Sequence, residues 1–406
     1  MTTDQQSPMP ETQDDFPSLL AWLTKNRRDS PVLPDAFPGL WHVFRYADVS
    51  RVLSDTETYS SDMSAVIPTH PDTGWIAKGN VVGMDPPMHR RLRSLVSGAF
   101  TPRLVADLEP RITELATGLL DAVAGRDRFD LVEAVTHPLP VFVIAEMLGI
   151  PLADRPLFEK WGLAFISANG GGESALPSEE NVLSFVQTAT EMRAYMLEQI
   201  ALRRAKPGDD LISRLVTART EDGRLEDDEI VGFVGTLLLA GHITTTAVLG
   251  STVLCLDENP GALAEVRRDR SLVPAAVEEA VRLRPAFSRL VRMTTRESDV
   301  GGVTIPAGQV LTLWTVAANR DPERFDDPDG FDLHRDQQGR HLGFGQGVHF
   351  CMGAPLARLE GRIVLNLLLD RFPELSVVGE DDAVAYHHPK NVVGPRRLLV
   401  DVTRGA

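Results

Sequence analysis

A mainly α-helical fold with a small β portion is predicted for this 406-residue chain, and three observations predict it. Apolar residues recur three and four apart through most of the chain, which is the helical period. Strand signals are few and short. Residues 231–256 carry no charge unless His242 is protonated, and a helix apolar all round belongs in the core of a large protein.

The helical period runs through residues 104–124, 141–148, 157–166, 182–202, 227–256, 272–283 and 355–369. Strands are expected at 41–44, 299–305, 310–313 and 397–402, with Pro306-Ala307-Gly308 as a hairpin turn. Residues 1–17 are polar and acidic, lack an apolar targeting core and read as a solvated tail, so a cytoplasmic protein is expected. From Phe37 to Val402 there is no low-complexity run, repeat or dividing linker, and residues 18–406 read as a single domain. The stretch 169–180, with Gly170-Gly171-Gly172 between two helical patterns, reads as a mobile loop rather than a boundary.

The apolar stretch 231–256 is long enough to span a bilayer. Threonines at 236, 244, 245, 246 and 252 lie within it and acidic clusters flank both ends, so no Lys/Arg bias marks a cytoplasmic side and a buried helix is the better reading. With 43% hydrophobic and 24% charged residues the composition is that of a globular protein with a large core. A net charge of −16 repels nucleic acid and anionic membranes, so neither is an expected partner. Two cysteines, Cys255 and Cys351, are too few for a disulfide scaffold, a four-cysteine zinc site or an iron–sulfur module. Cys255, mid-helix among Val253, Leu254 and Leu256, reads as a buried small hydrophobe.

Cys351 stands in the most informative run, Gly343-Phe344-Gly345-Gln346-Gly347-Val348-His349-Phe350-Cys351-Met352-Gly353-Ala354-Pro355. A glycine-rich loop here delivers a cysteine to a helix N-terminus, where free N–H groups and the helix dipole favour a thiolate. The glycine order is not that of a dinucleotide-binding turn. A catalytic cysteine with His349 as base is an alternative, as is a buried structural cysteine. Neither explains the glycines and aromatic residues, which suit close approach to a large planar cofactor.

The pattern Phe344-x-x-Gly347-x-His349-x-Cys351-x-Gly353 resembles the haem-binding loop of the cytochrome P450 family. The resemblance implies the helical prism of that fold, with a long central helix over haem b, and makes Cys351 the axial thiolate ligand of the iron. It places Phe344, Gly345 and Gly353 against the haem and His349 on a propionate. Upstream, Asp85-Pro86-Pro87-Met88-His89 opens a helix with His89 and Arg93 on one face; read alone this is an exposed basic turn. The resemblance makes His89, Arg93 and Arg292 further propionate contacts.

Glu279-x-x-Arg282, followed by Ala318-Asn319-Arg320-Asp321-Pro322 and Phe325-Asp326-Asp327-Pro328, resembles the structural ion pair and meander of the family. The family often has Arg or His where this chain has Gly330, which leaves the third partner open, with Arg335 as a candidate. Ala240-Gly241-His242-Ile243-Thr244-Thr245-Thr246 resembles the oxygen-activating segment. There Thr244 can bond back to the Ala240 carbonyl and bend the helix, Gly241 leaves room for a diatomic ligand, and packing alone is the alternative explanation. Ile243 replaces the usual acid, so protons must come through Thr244, Thr245, water, His242 or a hydroxyl of the substrate. The hypothesis is substrate-assisted proton delivery.

These residues imply an O2-dependent monooxygenase that hydroxylates or epoxidises a bulky small-molecule substrate, acting as a monomer with a separate ferredoxin and ferredoxin reductase. Docking candidates are Arg90, Arg91, Arg103, Arg111, Arg358 and Arg362, whose plainer reading is solvated helix charge. Pocket candidates are Leu237, Ala240, Ala286, Phe287, Leu290, Val392 and Val393, with the loops 64–80 and 169–180 closing over them. The runs Trp41 to Val49, Ala240 to Thr246 and Ala354 to Glu360 are most similar to bacterial members that tailor polyketide macrolides, whose relatives also oxidise cyclic peptides and other polyketides. A haem-thiolate sensor without oxygen activation is the alternative class; Gly241 and Thr244 argue against it, as does the want of an output domain.

Overall fold

The computed structural model describes residues 16–66, 73–97, 101–168, 179–219, 223–336, 340–380, 382–387 and 390–403. Its helices are α1 (Phe16–Asp29), α2 (Tyr46–Ser54), α3 (Gly74–Gly79), α4 (Met88–Ser97), α5 (Pro102–Asp107), α6 (Glu109–Asp121), α7 (Pro138–Met147), α8 (Arg155–Ala168), α9 (Glu179–Ala205), α10 (Leu211–Thr217), α11 (Asp227–Glu258), α12 (Pro260–Arg268), α13 (Val273–Leu283), α14 (Thr315–Ala318) and α15 (Ala354–Arg371). Local chemistry starts several of them. Thr101 and Asp210 cap α5 and α10 by accepting backbone N–H groups, and Glu226 with Glu229 forms a reciprocal capping box at the head of α11.

The strands are β1 (Val32–Pro34), β2 (Leu40–Val43), β3 (Tyr59–Ser60), β4 (Arg128–Asp130), β5 (Leu290–Thr294), β6 (Ser298–Val300), β7 (Val303–Ile305), β8 (Val310–Leu313), β9 (Glu374–Val377), β10 (Val384–Tyr386) and β11 (Pro395–Thr403). One sheet runs β1-β2-β8-β5-β3, with β2 and β8 parallel and the other pairs antiparallel. A second is centred on β11, which pairs with β10, β4 and β9.

Helix α11 is the axis of the molecule. It is buried along most of its length and packs against α3, α7, α8, α13 and α15. Small residues set those distances. A Cβ on Gly79 of α3 would lie 2.0 Å from the Phe233 nitrogen and 2.4 Å from the Glu229 carbonyl oxygen; one on Gly232 would meet the backbone of Gly79. The two helices touch main chain to main chain, which only glycine permits. Among the described residues α11 is the one helix long and apolar enough to cross a membrane, and most of that apolar length is buried inside the fold.

The structure corrects several expectations. Helix α1 begins at Phe16, buried and facing the Arg284 guanidinium at 5.8 Å, so residues 16 and 17 belong to the folded body rather than the tail. The pattern 104–124 divides at Leu108, because Pro110 opens a new helix just behind α5. The hairpin is β6–β7, turned at Gly301 and Gly302, both with positive φ; Pro306–Gly308 instead leads into β8, which pairs with β2 and β5. Loop 64–80 contains α3, and its residues 67–72 lie outside the described residues, as do 169–178 of the second expected loop. Cys255 is buried as expected, its thiol pushed up to about 11 by desolvation.

Candidate functional site

The glycine loop between residues 343 and 353 is built from backbone turns. Gly345 and Gly347 both sit at φ 69°, and a Cβ on Gly343 would press to 2.7 Å from Val281. The Cys351 N–H donates to the Phe344 carbonyl at 2.9 Å, which closes the loop just before α15. Cys351 is accessible yet crowded. Desolvation raises its thiol pKa, opposed by backbone N–H bonds from Gly353 and Ala354 and by the charges of Arg93 and Arg358. A sulfur with donors around it and an open side can serve as a metal ligand.

Beside the loop the fold gathers cationic groups. The rings of His89 and His349 lie 4.1 Å apart, centroid to centroid. His89 Nε2 and Arg292 Nε are buried without a hydrogen-bond partner. Burial, followed by the charges of Arg292, His89 and Arg93, drives the His349 pKa down to about 3. Burial and Arg93 likewise depress His89, and burial lowers Arg292 to about 10. Asp85 raises the pKa of His89 and of Arg292 without offsetting their burial, and the orphaned buried nitrogens still call for an acceptor. A dianionic haem edge supplies one, so these residues fit the cofactor expected from the sequence. Arg93 is placed differently from the expectation: both of its terminal nitrogens bond the loop, to the carbonyls of Val348 and Phe350 at 2.6 Å each, so here it braces the loop that carries Cys351.

Two residues in this cluster escaped the sequence reading. Ser61 Oγ lies 3.0 Å from His349 Nε2, and Asp85 accepts the Ser61 N–H at 2.8 Å and the Ser60 hydroxyl. Asp85 was visible only as the start of the proline pair; no local pattern marks Ser61.

The ion pair is complete. Arg282 donates to both Glu279 oxygens, at 2.7 and 2.8 Å, and both side chains are buried. Arg335 is the third partner, its Nε 3.0 Å from Glu279 Oε1, and Gly330 contributes its carbonyl to Arg282 at 2.7 Å.

On α11, Ala240 is exposed and Leu237, Gly241 and Thr244 are partly so, forming an accessible stripe on an otherwise buried helix. The Thr244 hydroxyl bonds the Ala240 carbonyl as expected. Thr245 is buried. Ile243 is packed among Ala247, Val281, Ala286 and Val392. At Gly241 a Cβ would lie 2.7 Å from Ile144 Cδ1, so the missing side chain also makes room for α7. His242 is sealed. It has no exposure, its Nε2 is 3.1 Å from His137 Nδ1, and burial holds its pKa down at about 3.

Of the pocket candidates, Ala286 and Val392 share the cluster containing Ile243, with Phe344 packed against it. Phe287 is exposed and bridges to Val392. Leu290 lies near Gly345, with its Cδ1 3.9 Å from where a Cβ on that glycine would be. Leu237 packs at the edge of the main core. Val393 is a correction: it is buried with Trp22, Phe44 and Trp314 beneath α1, because neighbouring residues of an extended segment point to opposite sides. A cavity of about 480 Å³ opens between α5, α13 and α15, walled by Val105, Val277, Glu278, Arg358 and Arg362. Four docking candidates have carboxylate partners: Arg91 pairs with Glu229, Arg111 with Glu114, Arg358 with Glu278 and Arg362 with Glu109.

Comparison with known proteins agrees with this geometry. Residues 180–400 match the family model described as Cytochrome P450. The chain is 45% identical over 387 residues to the erythromycin C-12 hydroxylase of Saccharopolyspora erythraea, covering 95% of each chain. It is 43% identical over 383 residues to the cyclomarin C epoxidase CymV of Salinispora arenicola, covering 94% of this chain and 95% of that one. The solved structure of open cytochrome P450 EryK from S. erythraea superposes with a TM-score of 0.89 at 42% identity, covering 98% of this chain and 99% of that one. A loop that presents one cysteine, a cationic cluster in want of an anion and a full-length match all lead to one conclusion: the chain belongs to the cytochrome P450 family and is a haem-thiolate monooxygenase.

Proposed function

We propose that this enzyme inserts one oxygen atom into a bulky, largely apolar secondary metabolite, a macrolide or related polyketide, by hydroxylation or epoxidation. The observation that carries this reading is the accessible stripe of Leu237, Ala240 and Thr244 on α11; the apolar residues Ala286, Phe287, Leu290 and Val392 are assigned as the walls of its pocket. Such a surface takes a large apolar ring better than an ion. The relative named an erythromycin hydroxylase supports the macrolide assignment. A cyclic peptide is the second reading, favoured by the cyclomarin epoxidase at nearly the same identity.

In this reading Cys351 is the iron ligand and Gly353 and Ala354 stabilise its thiolate. His89, Arg292 and His349 receive the haem carboxylates, with Arg93 between them and the loop, and Phe344, Gly345 and Gly353 line the macrocycle. Haem bound through a thiolate supplies reductive activation of O2. Thr244 presents a hydroxyl on the accessible stripe of α11 and would hold a proton for that chemistry. Ile243 can carry none, so a substrate hydroxyl completes the relay, with Thr245 too buried and His242 too enclosed to replace it.

The enzyme works as a cytoplasmic monomer, and electrons come from a ferredoxin and its reductase. Exposed Arg90 and Arg103 are the docking candidates not engaged in the ion pairs above. The test is titration of the ferric holoprotein with macrolactones, glycosylated macrolides and cyclic peptides, read at the Soret band. A low-to-high-spin shift with a macrolide supports the first reading, and one with cyclic peptides alone replaces it by the second.

A further inference from the structure

Adjacent glutamates leave α13 toward different partners. Glu279 is taken up by Arg282 and Arg335, whereas Glu278 faces the glycine loop. Its two oxygens accept Nε and Nη2 of Arg358, the latter at 2.9 Å. On the other side His341 Nε2 lies 3.2 Å from Glu278 Oε2. His341 Nδ1 accepts the Gly343 N–H at 3.1 Å, so Nε2 carries the proton that Glu278 receives.

Glu278 thereby grips both legs of the loop. His341 and Gly343 stand before the turn, and Arg358 stands on α15 after it. Arg358 is also seated on the loop itself: its guanidinium carbon is 4.6 Å from the centroid of the Phe344 ring, a cation–π arrangement. The carbonyl of Phe344 is the acceptor of the Cys351 N–H at 2.9 Å. A continuous chain of contacts therefore runs from Glu278 through Arg358 and Phe344 to the cysteine.

We propose that Glu278, His341 and Arg358 form a clamp that fixes the Cys351 sulfur and balances its negative charge, which makes Glu278 and Arg358 positioning residues for the thiolate rather than surface charges. The electrostatics agree. Burial opposes the Glu278 charge, but the bonds from His341 and Arg358 outweigh it and hold the carboxyl at about 2. Outer partners of a metal ligand commonly tune affinity and redox behaviour in this way.

The inference rests on Cys351 as the iron ligand. The test uses the haem-loaded protein and reads the ferrous–CO Soret band, the reduction potential and the rate of haem transfer to apomyoglobin. Arg358→Gln and Glu278→Gln are expected to move much of the carbonyl complex from the thiolate to the thiol band, shift the potential and speed haem loss roughly tenfold. Arg358→Lys keeps the charge but not the flat face over Phe344, and should fall between wild type and Arg358→Gln. Glu278→Asp, which retains the carboxylate, should rescue part of the Glu278→Gln loss; these two conservative variants serve the same purpose where a glutamine variant does not fold. Wild-type band, potential and transfer rate in both glutamine variants would overturn the clamp. Cys351→Ser separates the layers: a thiolate band that survives it would remove Cys351 as ligand, whereas its loss there with unchanged clamp variants removes the clamp alone.

Discussion

The glycine loop and the central helix meet the same demand, a surface held still, by opposite means. The loop has little apolar burial of its own and is fastened by charge and hydrogen bonds from three sides: Arg93 on α4, Glu278 on α13 and Arg358 on α15. Helix α11 gathers its ion pairs at its two ends, on Asp227, Asp228 and Glu229 at one and on Glu258 at the other; along the apolar length between them its polar bonds to neighbours are chiefly Thr246 to the Thr136 carbonyl and His242 to His137, and that length is held by the fit of glycines against Ile144, Pro395 and the backbone of α3. The difference predicts different failures. Away from its glycines the loop should tolerate changes of size and suffer from changes of charge, while the apolar length of the helix should do the reverse.

The largest expected effect is at the loop's end point. Cys351→Ser should abolish the thiolate-type carbonyl band entirely while far-ultraviolet circular dichroism stays that of the wild type, since no core contact depends on the sulfur. Next is Gly79→Ala. Its methyl would meet backbone atoms that cannot rotate away, so urea denaturation should show a loss of upwards of about 3 kcal/mol. A loss below about 1 kcal/mol would mean that α3 shifts freely and that the helix is not held by close fit.

Thr244→Ala should then lower coupled product on the order of tenfold, with the lost reducing equivalents appearing as peroxide or water. The loss should be greater for a substrate without a hydroxyl near the oxidised carbon, and equal losses for both substrate types would remove the substrate from the relay. The last prediction concerns pH, where the effect accrues gradually. His349 and His242 have pKa values of about 3, below the 6.5 of an unfolded histidine, so the unfolded chain binds more protons between those values. Stability of the apoprotein should therefore fall as pH drops from about 6.5 toward 3, by at most about 1.4 kcal/mol per pH unit for each group. Haem carboxylates would raise the pKa of His349 but not of the sealed His242, so the holoprotein should lose less over the same range. Identical slopes with and without haem would contradict the assignment of the His89–His349 cluster.

Much of this was legible in the sequence, for a physical reason. Period reads out helices with one apolar face, and α7, α13 and α15 lie close to where their patterns put them. The loop was legible because glycine, proline and cysteine each have narrow reasons to occupy such positions. Contacts between distant segments were not. Nothing near Ser61 announces His349, and nothing near His341 announces Glu278, because each pair meets only once the sheet and α13 are in place. Gly241 shows a related limit: an absent side chain shows that space is needed but not which neighbours need it, and Ile144 is one of them.

The contact between Gly79 and Gly232 has a consequence for recombination. Each glycine is required only because the other helix approaches so closely, so the two positions form one structural unit although 153 positions separate them. A chimaera that takes residues 74–79 from a relative with a bulkier residue there needs residues 229–233 from the same parent. Crossovers that keep both segments from one parent should give folded hybrids far more often than those that divide them, which marks the central helix and α3 as a single block for anyone exchanging substrate preferences among these enzymes.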